Sequence, residues 1–354
     1  MQSNADARKT SDFLISIFVY SLQNYEKKNL LQTERTPIFS KFVGNKRKGL
    51  DCLLLYYTGT FNTRFVTGKL AERLEALGWA VTRYEIDPKN PERLDLGKYD
   101  IIGLGYPIYG YCAPYPLLKF IRRQKFPKGA RVFIYKNSGE TQHANDASSK
   151  YILRKLMRDG VRVRNEYHFM MPYNIHFRFE DRLVKEILTM DAKLMDILVK
   201  EISEGIPNRR RYRLFPHYGI WPRIVSAVVS RPQYIGGDVN SFLYKVDMDK
   251  CTGCGACMKR CPTGNIYKDS EGVIRFHHNC LMCMRCSFYC PADAFHIGFL
   301  DDWGWKVNGG YDLRRIEGMD PGEPVITKDT KGFFHCYIKT YEMINSRHIE
   351  LFGK

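Results

Sequence analysis

The first clear pattern in the chain is a short, nearly continuous apolar run from Leu50 to Tyr57. A run of that length is typical of a strand that is buried on both faces of a parallel sheet. After a turn over 58–62, apolar residues recur at helical spacing up to Leu77, and Gly78 follows where helices commonly end. The segment therefore predicts one strand followed by one helix.

The alternation of strand-like and helix-like segments continues beyond this point. We predict further strands over 80–86, 100–105, 131–135 and 161–171, and further helices over 117–122, 147–158 and 181–202. Strands that alternate with helices predict an α/β fold with a doubly wound, mostly parallel sheet.

Changes in composition divide the chain into five predicted segments. These are an N-terminal extension (1–48), the sheet domain (49–204), a basic linker (205–241), a small cysteine-rich domain (242–298) and a C-terminal extension (299–354). The linker has six arginines and no acidic residue between Gly205 and Gly237. We interpret it as packing between the domains, with docking of an acidic redox partner as the functional hypothesis.

The chain has 354 residues, 44% of them hydrophobic, and a net charge of +17. Such a charge suits an acidic redox protein, a membrane surface or nucleic acid as partner. Because the sequence has no recognisable nucleic-acid motif, nucleic acid is not expected, and peripheral membrane contact is not favoured. The longest apolar stretch, Phe13 to Leu22, is shorter than the 18–20 residues that span a bilayer and predicts a buried or amphipathic helix.

Eight of the eleven cysteines fall within forty residues and form two runs of identical spacing, each Cys-x2-Cys-x2-Cys-x3-Cys-Pro. The eight are Cys251, Cys254, Cys257, Cys261, Cys280, Cys283, Cys286 and Cys290. Structural zinc is the alternative, but zinc needs two cysteine pairs and has no use for the third cysteine or the repeated Cys-Pro. The pattern therefore predicts iron–sulfur clusters, whose assembly needs reduced thiols and favours a cytoplasmic location.

Residues 242–298 resemble bacterial ferredoxins that carry two 4Fe-4S clusters. In that family the fourth cysteine of each run ligates the other cluster. The resemblance implies one cluster on Cys251, Cys254, Cys257 and Cys290, and a second on Cys280, Cys283, Cys286 and Cys261. Among the residues between the first three cysteines of each run, only the second run has a charge, at Arg285, which we expect to favour the reduced form of its cluster.

A candidate anion site lies between the first strand and the first helix. Hydroxyl groups and backbone amides at a helix N-terminus bind anions, although Thr and Asn also serve as ordinary helix caps. The segment resembles the FMN-phosphate loop of flavodoxins, with Phe61 where that family has glycine. The resemblance implies that FMN, rather than FAD, binds at Thr58, Gly59, Thr60, Phe61, Asn62 and Thr63.

Two further loops resemble those that surround the flavin ring in flavodoxins. The first follows the third strand and includes Pro107, Tyr109, Gly110 and Tyr111. The second follows the fourth strand and includes Ser138 and Gly139. Tyr109 or Tyr111 would stack on the flavin ring, although packing in the protein core is an equally good account of Tyr109.

Taken together, residues 50–298 resemble the flavodoxin–ferredoxin fusion proteins of anaerobic bacteria. That resemblance implies a protein that passes electrons between two 4Fe-4S clusters and FMN, with an acidic redox protein or a small molecule as electron donor or acceptor. The alternative is an FMN-dependent reductase of a small organic substrate that is fed by its own ferredoxin domain. Cys112 directly follows Tyr111 and is the candidate reactive thiol for such chemistry, although a passive thiol is the favoured interpretation.

Overall fold

The computed structural model of the chain describes residues 49–90, 92–140, 143–208, 244–298 and 309–353, with residues 224, 227, 228, 241, 301 and 307 between them. The chain divides into two compact units, Met1–Lys46 and Arg47–Lys354, and the description below concerns the second. The predictions for the N-terminal extension and for the six arginines of the linker lie outside the described residues.

The first part of the described chain alternates strands and helices. Its elements are β1 (Asp51–Tyr56), α1 (Asn62–Ala76), β2 (Ala80–Glu85), β3 (Ile101–Pro107), α2 (Tyr115–Arg123), β4 (Arg131–Ser138), α3 (Lys150–Arg158), β5 (Asn165–Met170) and α4 (Asp181–Glu204).

The five strands form one fully parallel sheet in the order β2-β1-β3-β4-β5. This is the flavodoxin-like order of a doubly wound fold, in which the chain reverses direction of winding beside β1. The predicted fold class is confirmed. The loops after β1, β3 and β4 consequently meet at one edge of the sheet, where such folds bind ligands.

Burial on both faces explains the continuous apolar run of β1. Cys52 and Leu54 belong to the core on one face, whereas Leu53 and Leu55 belong to the core on the other. Successive side chains of a strand point to opposite faces, so both cores need apolar residues from the same strand. Helices α1 and α4 cover the first face, and α2 and α3 cover the second.

Several element boundaries differ from the sequence prediction, and two of the differences have a clear structural form. The predicted helix over 147–158 begins with a 3-10 segment, His143–Ser149, before α3. The predicted strand over 161–171 pairs only from Asn165 to Met170, although Val161 and Val163 are buried. Apolar residues enter a core without joining a hydrogen-bonded ladder, and hydrophobicity alone does not distinguish the two.

The cysteine-rich part contains short elements: β6 (Tyr244–Val246), α5 (Ala256–Arg260), β7 (Ile266–Lys268), β8 (Ile274–Phe276), α6 (Arg285–Phe288) and β9 (Phe295–Ile297). Strand β6 pairs antiparallel with β9, and β7 pairs antiparallel with β8. Six of the cysteines are packed against the small apolar core that these strands share.

The described C-terminal segment forms α7 (Leu313–Glu317) and α8 (His335–Phe352), which pack on α4. Lys193 donates a hydrogen bond to Asn345 at 2.7 Å. Arg347 forms an ion pair of 2.8 Å with Glu201, whose side chain is almost fully buried. The segment therefore extends the core of the parallel-sheet domain.

In the described ranges, no helix combines the length and the apolar character that crossing a membrane requires.

Candidate functional site

The loop after β1 keeps the backbone shape that glycine would give it, although it carries phenylalanine. Phe61 has φ 71° and ψ 0° immediately before α1. This left-handed conformation is inexpensive for glycine and costly for other residues. No side chain in the described part of the chain caps the N-terminus of α1, so the first amide groups of the helix are available to a ligand.

Three threonine hydroxyls line this loop and are buried. The Thr58 hydroxyl has no hydrogen-bond partner among the described residues. Thr60 Oγ1 accepts a hydrogen bond from Asn174 at 3.2 Å, and Thr63 Oγ1 donates to Asn137 at 2.7 Å. A buried hydroxyl without a partner, beside an uncapped helix N-terminus, fits a phosphate group.

The loop after β3 turns tightly and packs against the loop after β1. Tyr109 and Cys112 exchange two backbone hydrogen bonds of 2.9 Å, with Gly110 and Tyr111 at positive φ between them. A Cβ atom placed on Gly59 would lie 1.8 Å from the Tyr109 hydroxyl oxygen. Gly59 therefore gives Tyr109 the room to reach this loop.

That Tyr109 or Tyr111 stacks on a flavin ring stays a prediction. The Tyr109 hydroxyl is buried and lies against the loop after β1. Tyr111 has a hydrogen bond to Glu140, whose pKa is raised by burial. Pro107 is buried at the end of β3.

The loop after β4 is surrounded by aromatic residues. A Cβ atom on Gly139 would lie 2.1 Å from the ring of Tyr173. The Tyr337 hydroxyl donates to the Gly139 carbonyl oxygen, which brings the C-terminal segment to the same loop. Ser138 Oγ lies 2.7 Å from Nε2 of His168, and burial together with nearby Lys136 lowers the pKa of His168 to about 3.

Three cysteines of the second run and one cysteine of the first run line a single cavity. The lining residues include Cys261, Cys280, Cys283 and Cys286. Burial raises the pKa of Cys280 to about 12, with smaller increases from the neighbouring Cys283 and Cys261. The structure thus brings together the four thiols that the crossed arrangement predicts for one cluster.

The remaining thiols lie closer to solvent. Cys254 is exposed, and Cys251 and Cys257 are half-buried. Burial raises the pKa of Cys257, and the nearby thiols of Cys251 and Cys254 raise it further. Cys290 is half-buried, and its sulfur accepts a hydrogen bond from the Ala294 amide at 3.4 Å.

The two cysteine runs are related by an approximate internal symmetry. The Cys261 sulfur accepts a hydrogen bond from the amide four residues further on, at 3.1 Å, and Cys290 does the same. Gly253 and Gly255 have positive φ in the first run, and Met282 and Met284 have positive φ at the same places in the second. The second run therefore holds the same backbone shape with bulkier residues.

The second cysteine run lies directly against the loop after β1. Arg285 donates to the carbonyl oxygen of Thr58 at 2.7 Å and also to that of Gly59. The Tyr289 hydroxyl donates to the Thr60 carbonyl oxygen at 2.9 Å. This contact joins the two sites that the sequence predicts separately.

Several residues of this site are not predicted by the sequence. Tyr289 and Tyr337 belong to no motif, and only the chain fold brings them to the loops. The sequence singles out Arg285 for its charge alone, not as a contact to the loop after β1. A comparison of the two cysteine runs could have indicated a special role for Arg285, because the first run has the small residue Ala256 at the equivalent position.

The fold and the thiols define a class: an iron–sulfur protein with a flavodoxin-like domain followed by a ferredoxin domain. Residues 244–267 match the model of the 4Fe-4S binding domain family. An uncharacterized ferredoxin of Methanocaldococcus jannaschii is 37% identical over 59 residues, which cover 73% of that protein and 15% of this chain. Through this domain the chain belongs to the ferredoxin family.

Other similarities are partial. Ferredoxin-3 of Nostoc is 29% identical over 73 residues, 75% of its length and 15% of this chain. A Halobacterium salinarum protein named as an iron–sulfur component of dimethyl sulfoxide reductase is 29% identical over 112 residues, 22% of this chain, and the chain spans 42% of its length. Flavodoxin 2 of Bacillus cereus is 16% identical with a TM-score of 0.33, covering 44% of this chain and 99% of its own. The flavodoxin-like fold assignment rests on the strand order of this sheet.

Proposed function

We propose that the chain is an electron-transfer protein that holds two 4Fe-4S clusters and one FMN. The observation that carries the proposal is the shared cavity of Cys261 with Cys280, Cys283 and Cys286. Cys261 belongs to the first run, and two-cluster ferredoxins exchange their fourth cysteines in this way. We assign Cys251, Cys254, Cys257 and Cys290 to the other cluster. We also propose that the five segments predicted from the sequence are the domains and connecting segments of the protein.

For the flavin, the proposal rests on the loop after β1. The hydroxyls of Thr58, Thr60 and Thr63 and the first amides of α1 would hold the phosphate of FMN. Tyr111 and the loop of Ser138 and Gly139 would lie beside the ring. FMN, when bound, supplies the conversion between one-electron and two-electron steps. One phosphate loop suits a mononucleotide, since a dinucleotide needs two such halves.

We propose an acidic redox protein as the partner, because basic residues flank the exposed Cys254 in the sequence. Cys254 is exposed, and the exposed Lys250 and Lys259 lie in the neighbouring sequence, with Lys250 3.5 Å from Asp247. Basic side chains around a solvent-facing cluster attract an acidic partner and speed encounter. We propose that electrons enter or leave the protein through this cluster.

The test is a cofactor analysis of anaerobically purified protein. We expect about eight iron and eight sulfide per chain, as two four-iron clusters require, and one FMN. The double variant Thr60→Ala with Thr63→Ala should lose FMN affinity while its iron and sulfide stay at parent level. Bound FAD, stoichiometric zinc, or unchanged FMN affinity in the double variant would contradict the proposal.

A small-molecule reductase remains the alternative function. It is distinguished by reoxidation of the reduced protein by a small organic compound with no protein partner present. We expect slow, unselective reoxidation under those conditions, and rapid reoxidation when an acidic ferredoxin or flavodoxin is added.

A further inference from the structure

We propose that Arg285 couples the second cluster site to the phosphate loop. It is a positioning residue that holds the run from Cys280 to Cys290 on the loop after β1. The cluster on Cys261, Cys280, Cys283 and Cys286 is therefore the one adjacent to the flavin. The inference rests on the proposed function insofar as the loop binds the phosphate of FMN.

The guanidinium group of Arg285 bonds to both sides of this contact. Nη2 donates to the Thr58 carbonyl oxygen at 2.7 Å, and Nε donates to that of Gly59. Nη1 donates to the carbonyl oxygen of Arg260 at 3.1 Å, at the end of the first cysteine run. A planar group with five donors makes these three bonds at once, which a lysine ammonium on a flexible stem does not.

Aromatic stacking reinforces the same contact. The Arg285 guanidinium lies 4.7 Å from the centre of the Phe61 ring. The rings of Phe61 and Tyr289 are 5.5 Å apart, and Tyr289 donates to the Thr60 carbonyl oxygen. The phenylalanine that replaces glycine in the phosphate loop thus has a function: it is the surface on which the ferredoxin domain docks.

A side-chain amide bridges the two parts of this contact. Asn174 Nδ2 donates to Thr60 Oγ1 at 3.2 Å and to the Cys283 carbonyl oxygen at 3.3 Å. Asn174 therefore joins the second cysteine run to the loop after β1.

Because the two cysteine runs are related by an internal symmetry, the positions at which they differ are informative. Cys283 is buried against the loop, whereas Cys254, its counterpart in the first run, is exposed. The position of Arg285 is occupied by Ala256 in the first run. One cluster site therefore faces the flavin domain, and the other faces solvent and a partner.

The positive charge of Arg285 has two consequences at this place. It favours a phosphate bound at the loop, and it favours the more negative, reduced state of the nearby cluster. Loss of this charge is expected to weaken FMN binding about tenfold and to lower the midpoint potential of one cluster only. Loss of the contact is expected to increase amide hydrogen exchange in residues 57–63 about tenfold.

The experiment compares Arg285→Gln and Arg285→Lys with Arg275→Gln in the full chain with its clusters. Arg275 is a matched control, since it is an exposed arginine of the same domain that pairs with Asp269 at 2.9 Å. The measurements are hydrogen exchange of residues 57–63, a potentiometric titration followed by paramagnetic resonance, and FMN release. We expect all three to change in Arg285→Gln and none in Arg275→Gln.

Arg285→Lys separates charge from geometry. It should raise exchange in residues 57–63 while the cluster potential stays near the parent value. If Arg285→Gln fails to assemble its clusters, the exchange result for Arg285→Lys decides the question. Unchanged exchange in both Arg285 variants, or a shift in both clusters, would overturn the inference. Absence of flavin in every protein would overturn the proposed function, whereas the exchange and potential measurements would still test the docking.

Discussion

Phe61 allows the cost of an unusual backbone conformation to be separated from the contacts that offset it. Its φ of 71° places a bulky residue in the left-handed region, which costs about 1–2 kcal/mol relative to glycine. Its ring lies 4.5 Å from the Arg64 guanidinium and 4.7 Å from that of Arg285. We predict the stability of Phe61→Gly and Phe61→Ala from these opposing terms.

Both variants lose the ring. Two cation–π contacts at about 0.5–1 kcal/mol each and one aromatic pair with Tyr289 at about 0.5–1.5 kcal/mol give a loss of about 1.5–3.5 kcal/mol. Only Phe61→Gly also relieves the left-handed conformation. Glycine also makes the unfolded chain more flexible, which offsets about 0.4–1 kcal/mol of the stability gained by relieving that conformation. We therefore expect Phe61→Gly to be more stable than Phe61→Ala by about 1 kcal/mol, and both to be less stable than the parent.

The assay is urea unfolding of the anaerobic protein, followed by far-ultraviolet circular dichroism and by cluster absorbance. Both probes are needed, because a protein with two domains and bound cofactors need not unfold in one step. If glycine and alanine are equally destabilising, the left-handed conformation is not a cost in this loop. If neither variant is less stable than the parent, the ring contacts do not support the docking.

Three further predictions concern other parts of the protein. Cys290→Ser should remove the paramagnetic signal of the cluster on the first cysteine run, and loss of the other cluster instead would refute the crossed ligation. Burial lowers the pKa of His168 to about 3 in the folded protein, whereas the unfolded chain takes up this proton near pH 6.5. The free energy of unfolding should therefore fall as the pH drops below about 6.5, by up to about 1.4 kcal/mol per pH unit. The urea midpoints at pH 5 and pH 7.5 should differ less in His168→Gln than in the parent. Lys259→Gln should slow reduction of an acidic ferredoxin about two- to fivefold at low salt and leave the rate unchanged near 1 M salt. The control is Lys328→Gln, because Lys328 is exposed in the C-terminal segment. This control should have no effect at either salt concentration.

The proposed electron path has a simple layout. In the proposed layout, the cluster near Cys254 would face solvent and the cluster near Cys283 would face the loop after β1. Arg285 donates hydrogen bonds to this loop and would hold the second cluster site against it. The C-terminal segment reaches the opposite side of the same edge through Tyr337 and Gly139. Residues of the ferredoxin domain and of the C-terminal segment therefore both contact the loops of the candidate flavin site.

The sequence by itself determined the parallel α/β fold and the class of metal centre. Both follow from local regularities: apolar runs at strand and helix spacing define β1 and α1, and a cubane needs cysteines at fixed short spacing. It also predicts a ligand site at the loop of Thr58 to Thr63, because ligand sites in such sheets follow the carboxyl ends of strands.

Only the tertiary structure decided how these parts meet. Arg285 and Thr58 are 227 residues apart in the chain, and no local pattern encodes a contact over that distance. The side chain of Tyr109 illustrates the same limit, since only the tertiary structure shows that its hydroxyl lies against Gly59 of the loop after β1. Short-range spacing specifies elements and ligand sets, whereas the contact between the phosphate loop and the second cysteine run depends on how two folded domains fit together.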